Sequence, residues 1–339
     1  MIIAGLCIIT LIAVFLVTGL LRRYALSRSL IDIPNSRSSH SVPTPRGGGV
    51  AIVVCFLSVL VLLFYLEYLD LGLFVALLGA GLGVAILGFL DDHGHIAARW
   101  RLLGHFISAG WILCFIKGLP PVLILGSSYD LMWFGYVVAA FYIVWMLNLY
   151  NFMDGIDGIA SVEAISVCVG IAFIYYCSGH PEHVVVPLVL AAAVGGFLIW
   201  NFPPAKIFMG DAGSGFLGVT LACLSLYSGW LSAAFMWSWL ILLGVFVVDA
   251  TWTLFCRLFR GEALYEAHRS HAYQIASRRY GRHLPVTIAV FLINVLWLTP
   301  WALAVATGRV DGMLALLLAY FPLLMLAIHF GAGQRERLV

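Results

Sequence analysis

Seven side chains that offer oxygen ligands lie in three short segments, each next to a long apolar run. They are Asp91 and Asp92, then Asn148, Asn151, Asp154 and Asp157, and last Asp211. A single acid in such a position would ordinarily cap a helix or mark the end of a span. Several carboxylates with few competing Cys or His ligands suit a hard ion such as Mg²⁺, with Mn²⁺ as the alternative. Because proteins commonly handle phosphates with a cation held by carboxylates, the set predicts phosphate chemistry.

Glycines accompany these acids. Asp154 and Asp157 are three residues apart and are followed by Gly155 and Gly158, while Asp211 stands in MGDAGSG. Two interpretations of the first pair stay open. If the stretch is helical, the two carboxylates share a face; if it is not, the glycines let the backbone come close to a ligand.

Basic side chains that could bind an anion lie in two further segments. The 34–49 stretch is either an ordinary Pro/Gly connector or a mobile loop that holds Arg37, His40 and Arg46 near an anion. The second segment is HRSH at 268–271, which places two histidines beside an arginine. Binding of lipid head groups explains the charge of this loop but not its histidines.

The composition indicates which solvent surrounds these residues. Hydrophobic residues make up 63% of the 339-residue chain and charged residues only 10%, and the mean hydropathy is +1.04. A soluble domain carries roughly a quarter charged residues, so we predict a single integral membrane domain over 1–339. The net charge of +2 is spread over short loops and indicates no nucleic-acid partner. An acid exposed to lipid is costly, so Asp249, near the end of an apolar run, is predicted to face a cavity or to pair with Arg257.

Apolar runs of about 20 residues, the length that crosses a bilayer as a helix, recur along the whole chain. We therefore predict an all-α polytopic membrane protein of about 11 transmembrane helices, with an active site formed by the loops of one face. The first run is followed by Arg22 and Arg23 without a small-residue cleavage site, so it is predicted to be a retained span and not a signal peptide. The runs lie near residues 2–21, 48–69, 71–90, 102–118, 133–150, 158–178, 184–200, 214–232, 235–256, 285–307 and 312–331.

The basic residues are distributed unevenly among the loops between these runs. One set of loops holds 16 of the 18 Lys and Arg residues, and the opposite set holds only Lys117 and Arg309. Because Lys and Arg are enriched in cytoplasmic loops, the N-terminus is predicted outside and the C-terminus in the cytoplasm. The candidate site acids lie in the same set of loops as most of the basic residues, so the predicted site opens to the cytoplasm.

Five segments carry a resemblance to a known family, namely PTPRGGG at 43–49, FLDD at 89–92, NFMDGIDG at 151–158, FMGDAGS at 208–214 and HRSH at 268–271. Together they resemble the polyprenyl-phosphate N-acetylhexosamine-1-phosphate transferases, which include phospho-MurNAc-pentapeptide transferase. The pattern is most similar to the O-antigen-initiating branch. The resemblance implies a bacterial inner-membrane enzyme that moves an N-acetylhexosamine-1-phosphate from a UDP-sugar to undecaprenyl phosphate and releases UMP. It leaves open whether the enzyme is a monomer or a homodimer.

The resemblance also implies roles for individual residues. The catalytic positions are Asp91, Asp92, Asp154 and Asp157. The metal ligands are Asp211, Asn151 and Asp154. The substrate-binding positions are Asn151, Asn201, Phe208, Arg46, Arg101, His268, Arg269 and His271. Among these, Phe208 would stack on uracil, Arg101 would meet the carrier phosphate, and the last three would hold the diphosphate and shape the sugar pocket.

The chain departs from the family pattern in the last segment. GlcNAc-type members usually read D-R-x-H-x-H-H, whereas this chain reads HRSHAYQ over 268–274. The change argues against a peptidoglycan precursor and against simple GlcNAc specificity. It brings a 6-deoxy N-acetyl sugar such as FucNAc or QuiNAc among the candidate donors, beside GlcNAc.

Two routes for the transfer stay open. We favour direct attack by the lipid phosphate, because a phosphate with a second pKa of about 6 is already ionised at neutral pH. The alternative is a covalent intermediate on Asp91 or Asp92. The competing class of protein is a secondary transporter with an acidic ion site at the cytoplasmic face. Against it, the acids cluster at one face and not at the midplane, and no inverted repeat is visible.

Overall fold

Fourteen α-helices follow one another in the residues that the computed structural model describes, which are 2–28, 30–34, 42–94, 96–262 and 269–334. The π-helical turn Asn294–Leu298 joins α12 to α13. The helices are α1 (Ile2–Ser27), α2 (Gly49–Tyr65), α3 (Leu71–Gly94), α4 (Ala98–Phe115), α5 (Met132–Met153), α6 (Ile159–Cys177), α7 (Val185–Asn201), α8 (Asp211–Leu231), α9 (Ala233–Leu242), α10 (Gly244–Phe259), α11 (Ala272–Tyr280), α12 (Leu284–Ile293), α13 (Thr299–Ala306) and α14 (Gly312–Phe330).

Each predicted span contains helix, which confirms the all-α polytopic fold. By length and hydropathy, eight helical segments of the described chain are sufficient to cross a membrane. Two predicted spans fall outside this group because α2 has only 17 residues and α4 carries Arg99 and Arg101 in its first turn. The helix pair α9 and α10 supplies a further span if the two are counted together.

The span predicted over 235–256 consists of two helices and not of one continuous helix. The α9 helix ends at Leu242, α10 begins at Gly244, and the pair is bent by 69°. The ring of Tyr320 packs into the break, where a Cβ on Gly244 would lie 2.8 Å from it. The Tyr320 hydroxyl donates to the carbonyl oxygen of Leu240, which satisfies an acceptor that the bend removes from the helix ladder.

The α6 and α8 helices form the centre of the bundle. Their apolar windows are 78% and 83% buried, against 17% for α1 and 22% for α14 at the periphery. Small residues allow close helix contact, as is common in membranes. A Cβ on Gly88 of α3 would lie 2.6 Å from the carbonyl oxygen of Asp211 at the start of α8. The ends of α3 and α8 are therefore fixed against each other at the level of the predicted acids.

Two strands connect the N-terminal segment to the same end of the bundle. Strand β1 (Ile31–Asp32) pairs antiparallel with β2 (Thr44–Pro45). The Phe208 N–H donates to the Pro45 carbonyl oxygen at 2.8 Å, and the Gly48 N–H donates to the Phe208 carbonyl oxygen at 2.9 Å. These bonds place the PTPRGGG segment against the FMGD segment. A second hairpin, β3 (Val122–Ile124) with β4 (Ser127–Tyr129), lies at the opposite end beside the start of α14.

Candidate active site

Asp92 and Asp211 meet where α3 ends and α8 begins. Oδ1 of Asp92 accepts a hydrogen bond from the Asp211 N–H at 3.3 Å. Oδ2 of Asp92 is buried and has no hydrogen-bond partner among the described residues. Gly210, at φ +77°, passes so close that a Cβ there would lie 2.7 Å from this oxygen. A buried carboxylate oxygen without a partner is costly unless a ligand satisfies it.

Asp91 has a different environment from Asp92, because α3 runs to Gly94 and both acids lie in its last turn, not in the loop that follows. Oδ1 of Asp91 accepts from the Ile96 N–H at 2.6 Å, which closes the turn toward α4. Its Oδ2 accepts a hydrogen bond from the guanidinium of Arg101. Asp91 therefore holds the connection between two helices and orients an arginine.

Two arginines flank the carboxylates. Nη2 of Arg46 lies 3.1 Å from Oδ1 of Asp92 and donates to the Asp92 carbonyl oxygen at 2.6 Å. Nη1 of Arg101 lies 3.5 Å from Oδ2 of Asp211 in addition to its contact with Asp91. Each arginine side chain keeps 37% of its surface exposed. Both guanidinium groups can therefore bind an incoming anion while they stay paired to the protein.

A cavity of about 220 Å³ is lined by Arg46, whereas Arg101 and Asp91 line an adjoining smaller pocket that shares Asn151 and Asp211 with it. The side chains of Asp92, Asn151, Asp154 and Asp211 all line the larger cavity. Burial raises the pKa of the Asp154 carboxyl well above its usual range, and the charges of Asp211, Asp157 and Asp92 add to the effect. Such mutual repulsion is relieved by a cation.

The donor set fits a divalent cation. Asp92, Asp154 and Asp211 supply carboxylate oxygens and Asn151 an amide oxygen, and hard ions such as Mg²⁺ prefer these donors. The unpartnered oxygen of Asp92 is an acceptor that such an ion would satisfy. This fit supports the predicted metal ligands Asn151, Asp154 and Asp211 and adds Asp92 as a candidate.

The stretch that holds Asp154 and Asp157 is not helical, so the glycine interpretation applies. The α5 helix ends at Met153, and Gly158 has φ +75°, a left-handed conformation that favours glycine. Oδ2 of Asp157 accepts from the Ala205 N–H at 3.0 Å, and its Oδ1 lies 3.2 Å from Nδ1 of His283. Asp157 thus ties the turn after α5 to the loop before α8.

Asn201 also connects the turn after α5 to the loop before α8. Its Oδ1 accepts from the Gly158 N–H at 3.0 Å, and its Nδ2 donates to the Ile207 carbonyl oxygen at 3.0 Å. The side chain is 3% exposed. Asn201 borders the cavity, and both polar groups of its side chain bind the backbone of the loops that shape it.

A second cavity of about 480 Å³ adjoins the first and shares Asp157, Phe208 and His283 with it. Arg278 and Arg282 contribute cationic groups to its wall. The Phe208 side chain, which was predicted to stack on uracil, stands on the boundary between the two cavities. A ligand with an aromatic ring and an anionic part matches this combination of wall groups.

Only part of the HRSH motif at 268–271 lies at the two cavities. His268 lies outside the described residues. His271 is 1% exposed and packs against Asp249, with Nδ1 and Oδ1 3.3 Å apart, and it does not line the first cavity. The carbonyl oxygen of Arg269 accepts a hydrogen bond from Nη2 of Arg278 at 3.0 Å, beside the second cavity. The structure thus brings Arg269 near the predicted substrate region and buries His271 behind it.

Asp249 lines a cavity, which is one of the two predicted alternatives, and its partners lie on α11 and not at Arg257. Asp249 accepts from the Ala272 N–H at 2.9 Å and from the Tyr273 N–H at 3.0 Å, so it caps the N-terminus of α11. Arg257 pairs instead with Glu262, with Nε and Oε2 3.1 Å apart. The Asp249 carboxylate is stabilised by backbone N–H groups of the first turn of α11, which have no acceptor within the helix, and by the helix dipole.

Two residues that line the first cavity escaped the sequence prediction. His283 contacts Asp157, but it stands alone in a basic loop, at no characteristic distance from the acids. Gln274 lines the cavity and occupies the last position of the HRSHAYQ segment, where the family pattern has histidine. The departure from that pattern was the signal that could have identified it.

Comparison with known proteins identifies the family of this chain. The model of glycosyl transferase family 4 matches residues 74–229. A probable undecaprenyl-phosphate N-acetylglucosaminyl 1-phosphate transferase of Bacillus subtilis is 29% identical over 298 residues, which cover 86% of this chain and 81% of the relative. The phospho-N-acetylmuramoyl-pentapeptide-transferase of Oceanobacillus iheyensis is 31% identical over 244 residues, 65% of this chain and 74% of the relative. That of Streptococcus thermophilus is 34% identical over 150 residues, 41% and 44% of the two chains. The chain is thus a multi-pass membrane protein that belongs to glycosyl transferase family 4.

Proposed function

We propose that this chain transfers an N-acetylhexosamine-1-phosphate from a UDP-sugar to undecaprenyl phosphate, with release of UMP. The observation that carries the proposal is a cavity at the helix ends whose wall includes three candidate metal-binding carboxylates and Arg46, with Arg101 in contact with Asp211 beside it. The carboxylates belong to Asp92, Asp154 and Asp211. Relatives whose names state undecaprenyl-phosphate and sugar-phosphate transfer support this chemistry over the transporter alternative.

The site faces the cytoplasm of the bacterial inner membrane in this proposal. Nε of Arg22, just inside the end of α1, donates to the Lys206 carbonyl oxygen at 3.1 Å, so the basic end of α1 lies on the side of the acid cluster. Most Lys and Arg residues lie in the loops assigned to this side, and the positive-inside rule makes it cytoplasmic. A lipid-linked phosphate and a water-soluble donor can meet at such a boundary.

The arginines are the groups of this chain that bring two anions together. Arg101 bridges toward Asp91 and Asp211, and its exposed surface would bind the phosphate of the carrier. Arg46, beside Asp92, would bind the diphosphate of the donor. Neutralising the repulsion between the two substrates lowers the barrier, since charge builds up on the departing UMP phosphate.

A divalent cation held by Asp92, Asn151, Asp154 and Asp211 would supply further charge neutralisation for the diphosphate. The side chain of Asp91 is engaged with the Ile96 N–H and Arg101, which leaves it to orient the arginine. We therefore favour direct attack of the carrier phosphate on the β-phosphorus of the donor. A covalent intermediate on an aspartate is the alternative.

The donor would extend from the acid cluster into the second cavity. Phe208 would stack on the uracil, and the cationic side chains of Arg278 and Arg282 would face the phosphates. Gln274 would contact the sugar, because it lines the first cavity next to the loop of Asp154. An N-acetylhexosamine of the GlcNAc, FucNAc or QuiNAc type is proposed, and the product would begin a lipid-linked glycan such as O-antigen.

Protein purified in detergent tests the proposal directly. Undecaprenyl phosphate and a panel of UDP-N-acetylhexosamines are incubated with the enzyme, and UMP release and lipid-linked sugar are followed with Mg²⁺, with Mn²⁺ and with EDTA. We expect metal-dependent product from at least one donor and none from an Asp211→Asn variant of equal thermal stability. Absence of turnover together with absence of carrier and nucleotide binding would overturn the proposal.

A further inference from the structure

A second group of metal-ligating side chains lies at the other end of the bundle. His180, Glu182 and His183 follow α6, which begins beside Asp157 and runs 19 residues away from it. At 1.5 Å per residue the helix separates the group from the acid cluster by about 28 Å. The group therefore belongs to the opposite membrane face and takes no part in the site described above.

Two of the three distances between the candidate ligand atoms are those that a tetrahedral ion requires. Oε1 of Glu182 lies 3.2 Å from Nδ1 of His180 and 3.5 Å from Nε2 of His183. All of the candidate ligand atoms lie within 4.8 Å of one another. Zinc–nitrogen and zinc–oxygen bonds of about 2.0–2.1 Å imply ligand pairs about 3.4 Å apart in a tetrahedron. The distances of 3.2 and 3.5 Å lie on either side of that value.

Aromatic neighbours hold both imidazoles in place. The ring of His180 packs edge-on against Phe235 with centroids 5.3 Å apart, and that of His183 packs edge-on against Tyr175 at 6.0 Å. The Tyr175 hydroxyl in turn accepts from Nε1 of Trp239 at 2.9 Å. The ligand nitrogens thus converge on Glu182 through rings whose orientation is supported from behind.

We propose that His180, Glu182 and His183 bind a divalent transition ion of the Zn²⁺ class. Two imidazoles and one carboxylate favour Zn²⁺ over Mg²⁺ or Ca²⁺, which prefer oxygen ligands only. Three protein ligands leave a fourth position for water. Glu182 and His183 also line a cavity of about 620 Å³ that reaches Asp70 and Tyr227, so this position is open to a small ligand. The site adds a cation-binding function on the face opposite to catalysis.

Metal titration tests the site without reference to sugar transfer. The full chain is purified through a tag that lacks histidine, stripped with EDTA and returned to millimolar Mg²⁺, which occupies oxygen-only sites. Bound Zn²⁺ per chain is then measured by calorimetry and by elemental analysis, and Co²⁺ replacement reports tetrahedral geometry through its visible absorption. We expect one equivalent of tightly bound Zn²⁺ and a tetrahedral Co²⁺ spectrum.

Matched variants separate this site from the other histidines. His180→Ala and His183→Ala should each weaken Zn²⁺ binding by about tenfold or more. His329→Ala, at the exposed end of α14, should leave binding unchanged. Thermal unfolding without metal shows that each variant is folded. Absence of binding by the parent chain, or equal binding by the His180→Ala/His183→Ala double variant, would overturn the proposal and leave Glu182 as a hydrogen-bond partner of His180 and an ion-pair partner of His183.

Discussion

The backbone N–H of Asp211 donates to Oδ1 of Asp92 at 3.3 Å, so a carboxylate in the last turn of α3 caps the first turn of α8. The same carboxylate has its second oxygen buried in the cavity, without a partner among the described residues. The Asp92 side chain thus has two separable roles. Its Oδ1 accepts a hydrogen bond from the start of α8, and its negative charge contributes to the site.

Substitutions at Asp92 should separate these properties. Asp92→Asn keeps an oxygen that can cap α8 and loses the charge, so we expect a folded protein with transferase activity reduced by orders of magnitude. Asp92→Ala loses the cap as well and should cost about 1 kcal/mol more stability. Thermal unfolding in detergent and UMP release measure the two effects. If Asp92→Asn kept full activity, the charge of Asp92 would have no part in the reaction.

Gly88 tests whether helix packing sets the site. A Cβ there would lie 2.6 Å from the carbonyl oxygen of Asp211, so Gly88→Ala must push the ends of α3 and α8 apart. We expect activity to fall at least tenfold, since misplaced catalytic groups lose much of their effect. Gly83→Ala is the matched control on the same helix, because its Cβ would meet only Oγ of Ser108 at an ordinary 3.6 Å. Equal activity of the two variants would contradict the packing argument.

Asn201 should be more important for stability than its position at the cavity edge indicates. Asn201→Ala removes two backbone hydrogen bonds, to the Gly158 N–H and the Ile207 carbonyl oxygen, and leaves both groups buried. We expect a loss of about 2–3 kcal/mol in unfolding free energy. Asn201→Asp keeps the acceptor but not the donor and should fall between the parent and the alanine variant. An alanine variant as stable as the parent would mean that water satisfies both backbone groups.

Asp249 is predicted to act through α11 and not through the cation. Asp249→Ala removes the acceptor for the Ala272 and Tyr273 N–H groups, so α11 should dock less firmly over the cavity. We expect a higher KM for the UDP-sugar with an unchanged metal requirement, and partial recovery in Asp249→Asn. A raised Mg²⁺ requirement at unchanged KM would place Asp249 in the metal site instead.

Gln274 is the residue at which a change of donor preference is expected. Its side chain lines the first cavity, and Oε1 accepts from the His271 N–H at 3.3 Å. Gln274→His restores the residue that the GlcNAc-type pattern carries at this position, so kcat/KM for UDP-GlcNAc should rise relative to 6-deoxy donors. The ratio of kcat/KM values over a donor panel measures this. A ratio identical to that of the parent would remove Gln274 from the sugar pocket.

The sequence was sufficient to predict the acid cluster because each acid stands at the end of an apolar run, and the ends of membrane spans meet at the same face. It could not separate Asp91 from Asp92. Neighbours on a helix point about 100° apart, and the rotation of α3 against α8 decides which of them faces the cavity. The partner of Asp249 was missed for a similar reason, since α11 begins 23 residues later and docks through tertiary contacts.

A hydropathy profile also does not show whether the helix axis is straight or bent within an apolar run. The residues on both sides of the break between Leu242 and Gly244 are apolar, so a window average predicts one span where the chain bends by 69°. The bend depends on the Tyr320 ring, which comes from α14 and is 80 residues away from its acceptor Leu240. His283 could not be predicted as a site residue either, because only the folded chain brings it to Asp157.

The hydrogen bond between Asp92 and Asp211 joins positions 119 residues apart. During synthesis α3 emerges long before α8, because four helices, α4 to α7, lie between them in the chain. A ribosome-bound chain that ends at α7 has the arginines and Asp92 but no Asp211, and therefore an incomplete acid cluster. The acid cluster is therefore complete only after α8 has inserted, and the proposed donor-binding residues Gln274, Arg278 and Arg282 follow still later in the chain.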